Sequence, residues 1–323
     1  MKRMQSPAYR SAQGLSLIEL MISIALGLLI VAATLSIFSS NKQSYRATEN
    51  LGRVQESGRT AFELMSRDIR EAGGNPCDTN LPVANVLNNS ASVWWSNWTN
   101  GLLGYENGAL AGSTPGTDAI ELHSGMGTGA TVVSHNPTSA TFDVRPLTHG
   151  FLANDILMVC DFTQASIFQM SGPSANPVTN GNVVHNTGTG NPGNCSKGLG
   201  YALPINCSTN GTPYTYGENS QVVRMQASRW FVNNGTLFRQ SLRNNGTAPA
   251  EEVINGVLDM QITYLLPGAA AYVTAAAVPA ARWQQVTSVR VELMLQSQDA
   301  VGTNGQRLQR PIVQTINLRN RTP

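Results

Sequence analysis

Residues 14–20 read Gly14-Leu15-Ser16-Leu17-Ile18-Glu19-Leu20, and they open a run, residues 15–38, in which Glu19 is the only charge. A helix needs about 20 mostly apolar residues to cross the hydrocarbon core of a bilayer. The run is long enough to do so once. No comparable run follows it, which excludes a multi-span channel or transporter. Residues 1–14 carry Lys2, Arg3 and Arg10 and no acid. The N-terminal end is therefore expected on the cytoplasmic side, with the rest of the chain on the far side. A secretory signal has a shorter apolar region, followed by small residues at its cleavage site. Here the small residue, Gly14, comes first, so a cut there would leave the anchor on the protein.

Glu19 needs a reason. An acid within a membrane segment costs roughly 2.5–3.5 kcal/mol on insertion scales and marks a functional position by default. The plainer reading is a glutamate near a helix end that reaches the headgroups.

Composition narrows the classes further. Of 323 residues, 41% are hydrophobic and only 12% charged, against about a quarter charged in a typical soluble protein. Asn, Ser, Thr, Gln and Gly take the place of the charges. A formal net charge of +2 gives no basic face for nucleic acid. The chain is also too poor in Glu and Lys for a long coiled coil and too apolar for disorder. Without Lys2, Arg3 and Arg10 it is nearly neutral, so long-range electrostatics does not select its partners.

The helix does not stop at Phe38. Residues 41–72 contain no proline, and Tyr45, Thr48, Leu51, Val54, Gly58, Ala61, Phe62, Met65, Ile69 and Ala72 recur at spacings of three and four, which marks one helical face. Gly73-Gly74-Asn75-Pro76 is a stop. Continuous helix over 15–72 would be about 87 Å long; the alternative is a separate juxtamembrane helix. Beyond residue 74, strands are predicted at Ala119–His123, Ala140–Val144, Ile156–Cys160, Gln221–Val232, Thr236–Ser241, Val257–Leu265, Val286–Gln298 and Thr315–Arg319. Arg229–Ser241 reads as a hairpin around Asn233-Asn234-Gly235. Residues 171–219 read as loop, and the alanine-rich Ala269–Ala281 as a surface excursion. The division is 15–38 spanning helix, 39–73 its amphipathic continuation and 74–323 a β-rich head. The expected class is α+β, a long N-terminal helix packed on a large antiparallel β-rich globular domain.

The stretch Gly14–Leu20, behind its basic leader, resembles the class III signal of type IV pilins and type II secretion pseudopilins. The resemblance implies that residues 1–14 are a leader cut after Gly14 by a prepilin peptidase, and that Leu15, the new first residue, is N-methylated. It implies that Glu19 pairs with a neighbouring subunit's N-terminal amine. Phe is commoner than Leu at the first mature position. The residues Leu64-Met65-Ser66-Arg67-Asp68-Ile69-Arg70-Glu71-Ala72-Gly73, Asp118–Leu122, Asp155–Asp161 and Ile167-Phe168-Gln169 look like the PilW family of minor type IV pilins, a likeness reaching from the leader to about residue 170. A PilW-like chain is implied to be a structural protein without catalytic residues or cofactor. It would prime pilus assembly and sit at or near the filament tip. Its implied partners are other minor pilins, the major pilin, the peptidase, the inner-membrane assembly platform and a large tip adhesin. Its implied location is the inner membrane of a Gram-negative cell, head in the periplasm, and then the pilus tip. The Arg-Asp-Ile-Arg ending is also similar to the J-type minor pseudopilin of type II secretion. A membrane-anchored periplasmic enzyme or binding protein is the remaining alternative.

Cys77, Cys160, Cys195 and Cys207 all follow the anchor, on what would be the oxidising side. Three pairings are possible. Cys195 and Cys207 share a loop and suit local closure, which leaves Cys77 to pin Cys160. A zinc site is the alternative, though no C-x-x-C pair exists and His123, His135, His149 and His185 are scattered. Gly125-Met126-Gly127-Thr128-Gly129 lacks the lysine of a phosphate loop and precedes a strand-like Ala-Thr-Val-Val, so it reads as a turn. Trp94, Trp95 and Trp98 form an aromatic cluster, read as core first and as an exposed docking or carbohydrate-binding face second.

Overall fold

The computed structural model describes residues 14, 16–78, 81–98, 101–125, 127–174, 180–243, 246–319 and 321. The leader 1–13, Leu15 and Met126 lie outside the described residues. Helix α1 (Leu17–Glu71) is unbroken over 55 residues, about 82 Å at 1.5 Å per residue. It starts at Leu17 because Ser16, in extended backbone geometry, caps it. The Ser16 Oγ accepts from Glu19 N at 3.2 Å and so satisfies one of the orphan N–H groups of the first turn. It stops at Gly73, which holds a φ of 71° that glycine adopts without a Cβ clash.

Sixteen strands follow among the described residues. They are β1 (Val83–Asn85), β2 (Leu102–Tyr105), β3 (Ala119–Ser124), β4 (Ala130–Asn136), β5 (Thr141–Arg145) and β6 (Ile156–Cys160). Then come β7 (Ala165–Gln169), β8 (Asn182–Val184), β9 (Gln221–Arg224), β10 (Gln226–Asn233) and β11 (Thr236–Arg243). The last are β12 (Gly246–Thr247), β13 (Glu251–Asn255), β14 (Val257–Leu265), β15 (Ser288–Gln296) and β16 (Gln309–Asn317). The first sheet has the order β1-β7-β6-β9-β4-β5-β8, the second β12-β11-β10-β3-β2 with β13 also on β11, and the third β14-β15-β16. Among the described strands, β1–β7 is the one parallel pair. The fold is α+β, a long apolar N-terminal helix whose second half packs on a large antiparallel head, a pilin-like architecture.

Three expectations change: β8 lies within the stretch 171–219 read as loop, the last strand is Gln309–Asn317 and not Thr315–Arg319, and the strand over Gln221–Val232 divides. The single strand over Gln221–Val232 is two, because the chain leaves the first sheet for the second at Met225, whose N–H donates to Ile156 O at 2.8 Å. The excursion Ala269–Ala281 is largely exposed, as expected of a surface segment; it touches the core at Ala275 and Val278, which are buried, and the turn after them sets Trp283 edge-on to Tyr264 with ring centroids 4.9 Å apart. Small alanine side chains allow that close return. The hairpin turns at Asn234 and Gly235, with φ 47° and 78°, as a two-residue turn requires.

The spine is gripped along its upper half. Val54, Ala61, Phe62, Met65 and Ile69 share one apolar core with the second and third sheets. Gly58 faces Ile312 and Leu295 so closely that a Cβ there would collide with the Ile312 side chain. Polar locks fix the height of the helix. Asp68 Oδ2 accepts from Ser228 Oγ (2.8 Å), Trp230 Nε1 (2.9 Å) and Arg239 Nε (2.8 Å), and its Oδ1 accepts from Arg239 Nη2 (3.0 Å). Lower down, Asn50 Oδ1 accepts from Asp299 N at 3.3 Å, and Arg46 pairs with the Asp299 carboxylate at 3.5 Å. At the top, Arg319 N donates to Arg70 O at 2.9 Å.

Asp68→Ala is expected to strand the Trp230 N–H and the Arg239 guanidinium. Breaking a buried charge pair costs about 3–5 kcal/mol. Arg239 is 34% exposed and regains some hydration, so a loss of about 2–3 kcal/mol is expected. Asp68→Asn, which keeps the shape and an acceptor, should lose less. Urea unfolding of the detergent-solubilised variants checks this; equal losses would assign the effect to packing.

Candidate functional site

The lower half of α1 packs against no other element among the described residues. Its first buried residue is Asn50. Below it Leu17, Ile18, Leu20, Met21 and Ile22 are 53–75% exposed, and Leu26 to Phe38 continue in the same way. Successive helix residues point about 100° apart, so these side chains surround the axis instead of forming one stripe. A helix apolar all round is a membrane span or a buried core element. This one is the only described helix long and apolar enough to cross a membrane, a single-pass anchor.

Glu19 sits in the first turn of that helix, where the helix dipole favours an anion. Its backbone is engaged on both sides: the N–H bonds Ser16, and the carbonyl accepts from Ser23 Oγ at 2.7 Å. Its carboxylate has no ion pair among the described residues. Gly14 is exposed just before the helix, and a Cβ there would meet open space. The start of the chain thus presents an exposed glycine, an apolar shaft and one acid a turn in.

The cysteines are brought together as Cys77–Cys160 and Cys195–Cys207, with Cα separations of 6.0 and 4.9 Å. The first bond ties the segment after the helix to the end of β6. Trp95 is buried, and Trp94 and Trp98 pack on the same apolar cluster. The Arg229 guanidinium lies 4.8 Å over the Trp94 ring, so the tryptophans pack as core.

The histidines are less scattered than their numbers suggest. His135 and His185 meet at 3.1 Å through Nε2. His135 Nδ1 accepts from Tyr216 N at 3.2 Å, so its proton lies on Nε2 and is donated to His185. No group of three or more His, Cys, Asp or Glu among the described residues could hold a metal ion. Burial pushes His135 down to about 4. Burial, and then the charge of His135, push His185 down to about 3.

Two family models match the chain. Residues 206–320 match PilW, the type IV pilus-assembly protein W. Residues 9–35 match the prokaryotic N-terminal methylation motif. No curated protein matches. The second match covers Gly14, Leu15 and Glu19. The first covers strands β9 to β16, later in the chain than the stretches at 64–170 on which the PilW likeness was drawn. Fold and matches together give a prepilin-like, membrane-anchored protein similar to PilW. The clamp on Asp68 escaped the sequence reading, because its donors lie 160 to 171 residues away and nothing local announces them.

The histidine pair has a consequence for stability. The unfolded rings titrate near the ordinary value of about 6.5, whereas the folded ones stay neutral to about 4 and 3. The pair's contribution to stability is therefore fully present above about pH 6.5 and is lost as the pH falls toward about 3, His185 contributing up to about 1.4 kcal/mol per pH unit. His185→Phe should flatten that decline. Urea midpoints at about pH 7.5, 6 and 5 measure it; an unchanged slope would place the acid sensitivity elsewhere.

Proposed function

We propose that this chain is a minor type IV pilin of the PilW kind, made as a prepilin, cut after Gly14 and N-methylated at Leu15. It joins other minor pilins on the inner-membrane assembly platform, primes the filament before the major pilin is added and stands at or near its tip, in reach of a large tip adhesin. The observation that carries this reading is the division of one unbroken helix. Its upper half is locked into the head, and its lower half is apolar all round and unburied. The methylation-motif match over 9–35 and the PilW match over 206–320 support it.

The chemistry runs from burial. Cleavage leaves an α-amine on Leu15 at the membrane edge, with the Glu19 anion one turn deeper. Both charges are costly in a low-dielectric medium. A neighbour displaced along the axis places its glutamate against that amine, and the pair leaves lipid with both charges compensated. The large head fits a subunit present in few copies, since a head of this size at every position would crowd a thin filament.

Glu19→Ala is expected to leave insertion and cleavage intact, with an intact mass beginning at Leu15, and to lower the number of surface pili. Glu19→Gln separates charge from shape. Normal piliation in the alanine variant, in a strain where deleting the gene abolishes pili, would show that the charge is dispensable and that the head carries assembly.

A further inference from the structure

Strand β16 is the open edge of the third sheet, with β15 as its strand partner. Its register decides which backbone groups point outward. Leu308 O accepts from Ser297 N, and Leu318 N donates to Thr287 O. In an antiparallel pair both groups of a residue face the same side, so the even-numbered residues face β15. The odd-numbered residues Gln309, Pro311, Val313, Thr315 and Asn317 turn theirs outward. Pro311 has no N–H to offer. Arg319, next in the odd series, already donates to Arg70 O of the spine. Between these limits Val313, Thr315 and Asn317 present backbone groups without a backbone partner among the described residues.

A groove of about 640 Å³ lies between this edge and α1. Phe62, Ile312 and Val313 make its apolar wall, and Arg59 and Glu63 stand on its rim. Gln314 lines it as well, and its Oε1 is buried without a hydrogen-bond partner. A buried acceptor without a donor is costly, and an incoming donor would relieve it. The groove runs lengthwise. Asp299, before β16, is pinned at Asn50, and Arg319, after it, at Arg70. Twenty helix residues rise about 30 Å, and a strand over 309–319 about 33 Å, so β16 and the spine run side by side in one direction.

We propose that this edge receives an extended strand from a different subunit anchored in the same membrane, laid along β16 over Val313–Asn317; this rests on the pilin reading above. A row of outward N–H and C=O groups at strand spacing is complemented by another strand. The occupant supplies an apolar side chain to the Phe62–Ile312 wall and a donor to Gln314. A second copy paired through its own β16 is excluded by direction. Two-fold pairing of identical edges is antiparallel, and β16 runs with α1, so the two anchors would point to opposite sides.

The test uses full-length protein in cells, with a photo-crosslinking amino acid at Asn317. Proline is then placed at Thr315, where the lost N–H points outward and the β15 ladder stays whole; Pro311 already occupies an equivalent position. The expected result is an adduct to another membrane-anchored protein with a class III leader, reduced about tenfold or more by Thr315→Pro, with thermal unfolding little changed. Should Thr315→Pro unfold, Val313→Pro is read in its place; unfolding of both overturns the outward assignment. No adduct, an adduct to lipid, to a second copy or to a protein without such a leader, or one indifferent to proline overturns the proposal. Pilus counts in the Glu19 variants are scored separately. A proline-sensitive adduct beside normal piliation in Glu19→Ala would therefore count against the assembly role of Glu19 and leave the strand contact standing.

Discussion

One carboxylate on the spine sets the geometry of the molecule. Apolar packing of a helix on a sheet is strong but not directional, and a slide along the axis by one turn, about 5.4 Å, exchanges similar side chains. Asp68 removes that freedom. Its two oxygens take donors from Ser228, Trp230 and Arg239 on adjacent strands β10 and β11, and a slide by one turn breaks all four bonds. Gly58 works in the same sense, since it lets the helix sink onto Ile312 and Leu295 at a single level. The amide of Asn50 and the carbonyl of Arg70 then mark the lower and upper ends of the grip.

Because the grip ends near residue 46, the protein has two solvents built into one helix. Above that level a stripe of small and apolar residues meets the sheets, and Arg53, Glu49 and Arg67 face water. Below a polar turn at Ser39–Ser44, the run from Phe38 down has no face polar enough to be wetted, and no described part of the head reaches down to cover it. The helix stays continuous because nothing in 17–71 breaks it: no proline, a serine cap at the start, and glycines only where space or packing allows.

The sequence was most legible where one short-range rule decides. Residues Val54 to Ile69 repeat every three or four, and the helix follows them to a Gly-Gly-Asn-Pro stop. Strands such as Ile156–Cys160 and Val257–Leu265 appear at the expected residues because apolar runs or alternation are local properties. Strand β7 over Ala165–Gln169 is buried on both faces, and without alternation its residues are not marked as a strand. Strand β13, Glu251–Asn255, is largely exposed and carries no such rhythm. The pairing of His135 with His185 joins residues 50 apart through β4 and the chain beyond β8, and only the sheet order brings them together. Within the exposed alanine segment after residue 269, the inward turn of Ala275 and Val278 is unmarked for a related reason: alanine is silent about burial until the surface it fits is known.

The head divides by its relation to the spine. The second and third sheets share their core with α1, whereas the two apolar clusters of the first sheet contain no residue of that helix. The PilW match, residues 206–320, takes in the strands that carry the Asp68 donors, the Gly58 contact and the Arg70 cap. Those strands thus supply the surface that fixes the register of the spine. The first sheet supplies none of these contacts. It is coupled to the gripping half where β9 runs into β10 at Met225 and where Cys77 bonds Cys160. That disulfide leaves the chain six residues beyond the last turn of the helix, so the more independent half of the head is fastened close to the point where the spine itself is fixed.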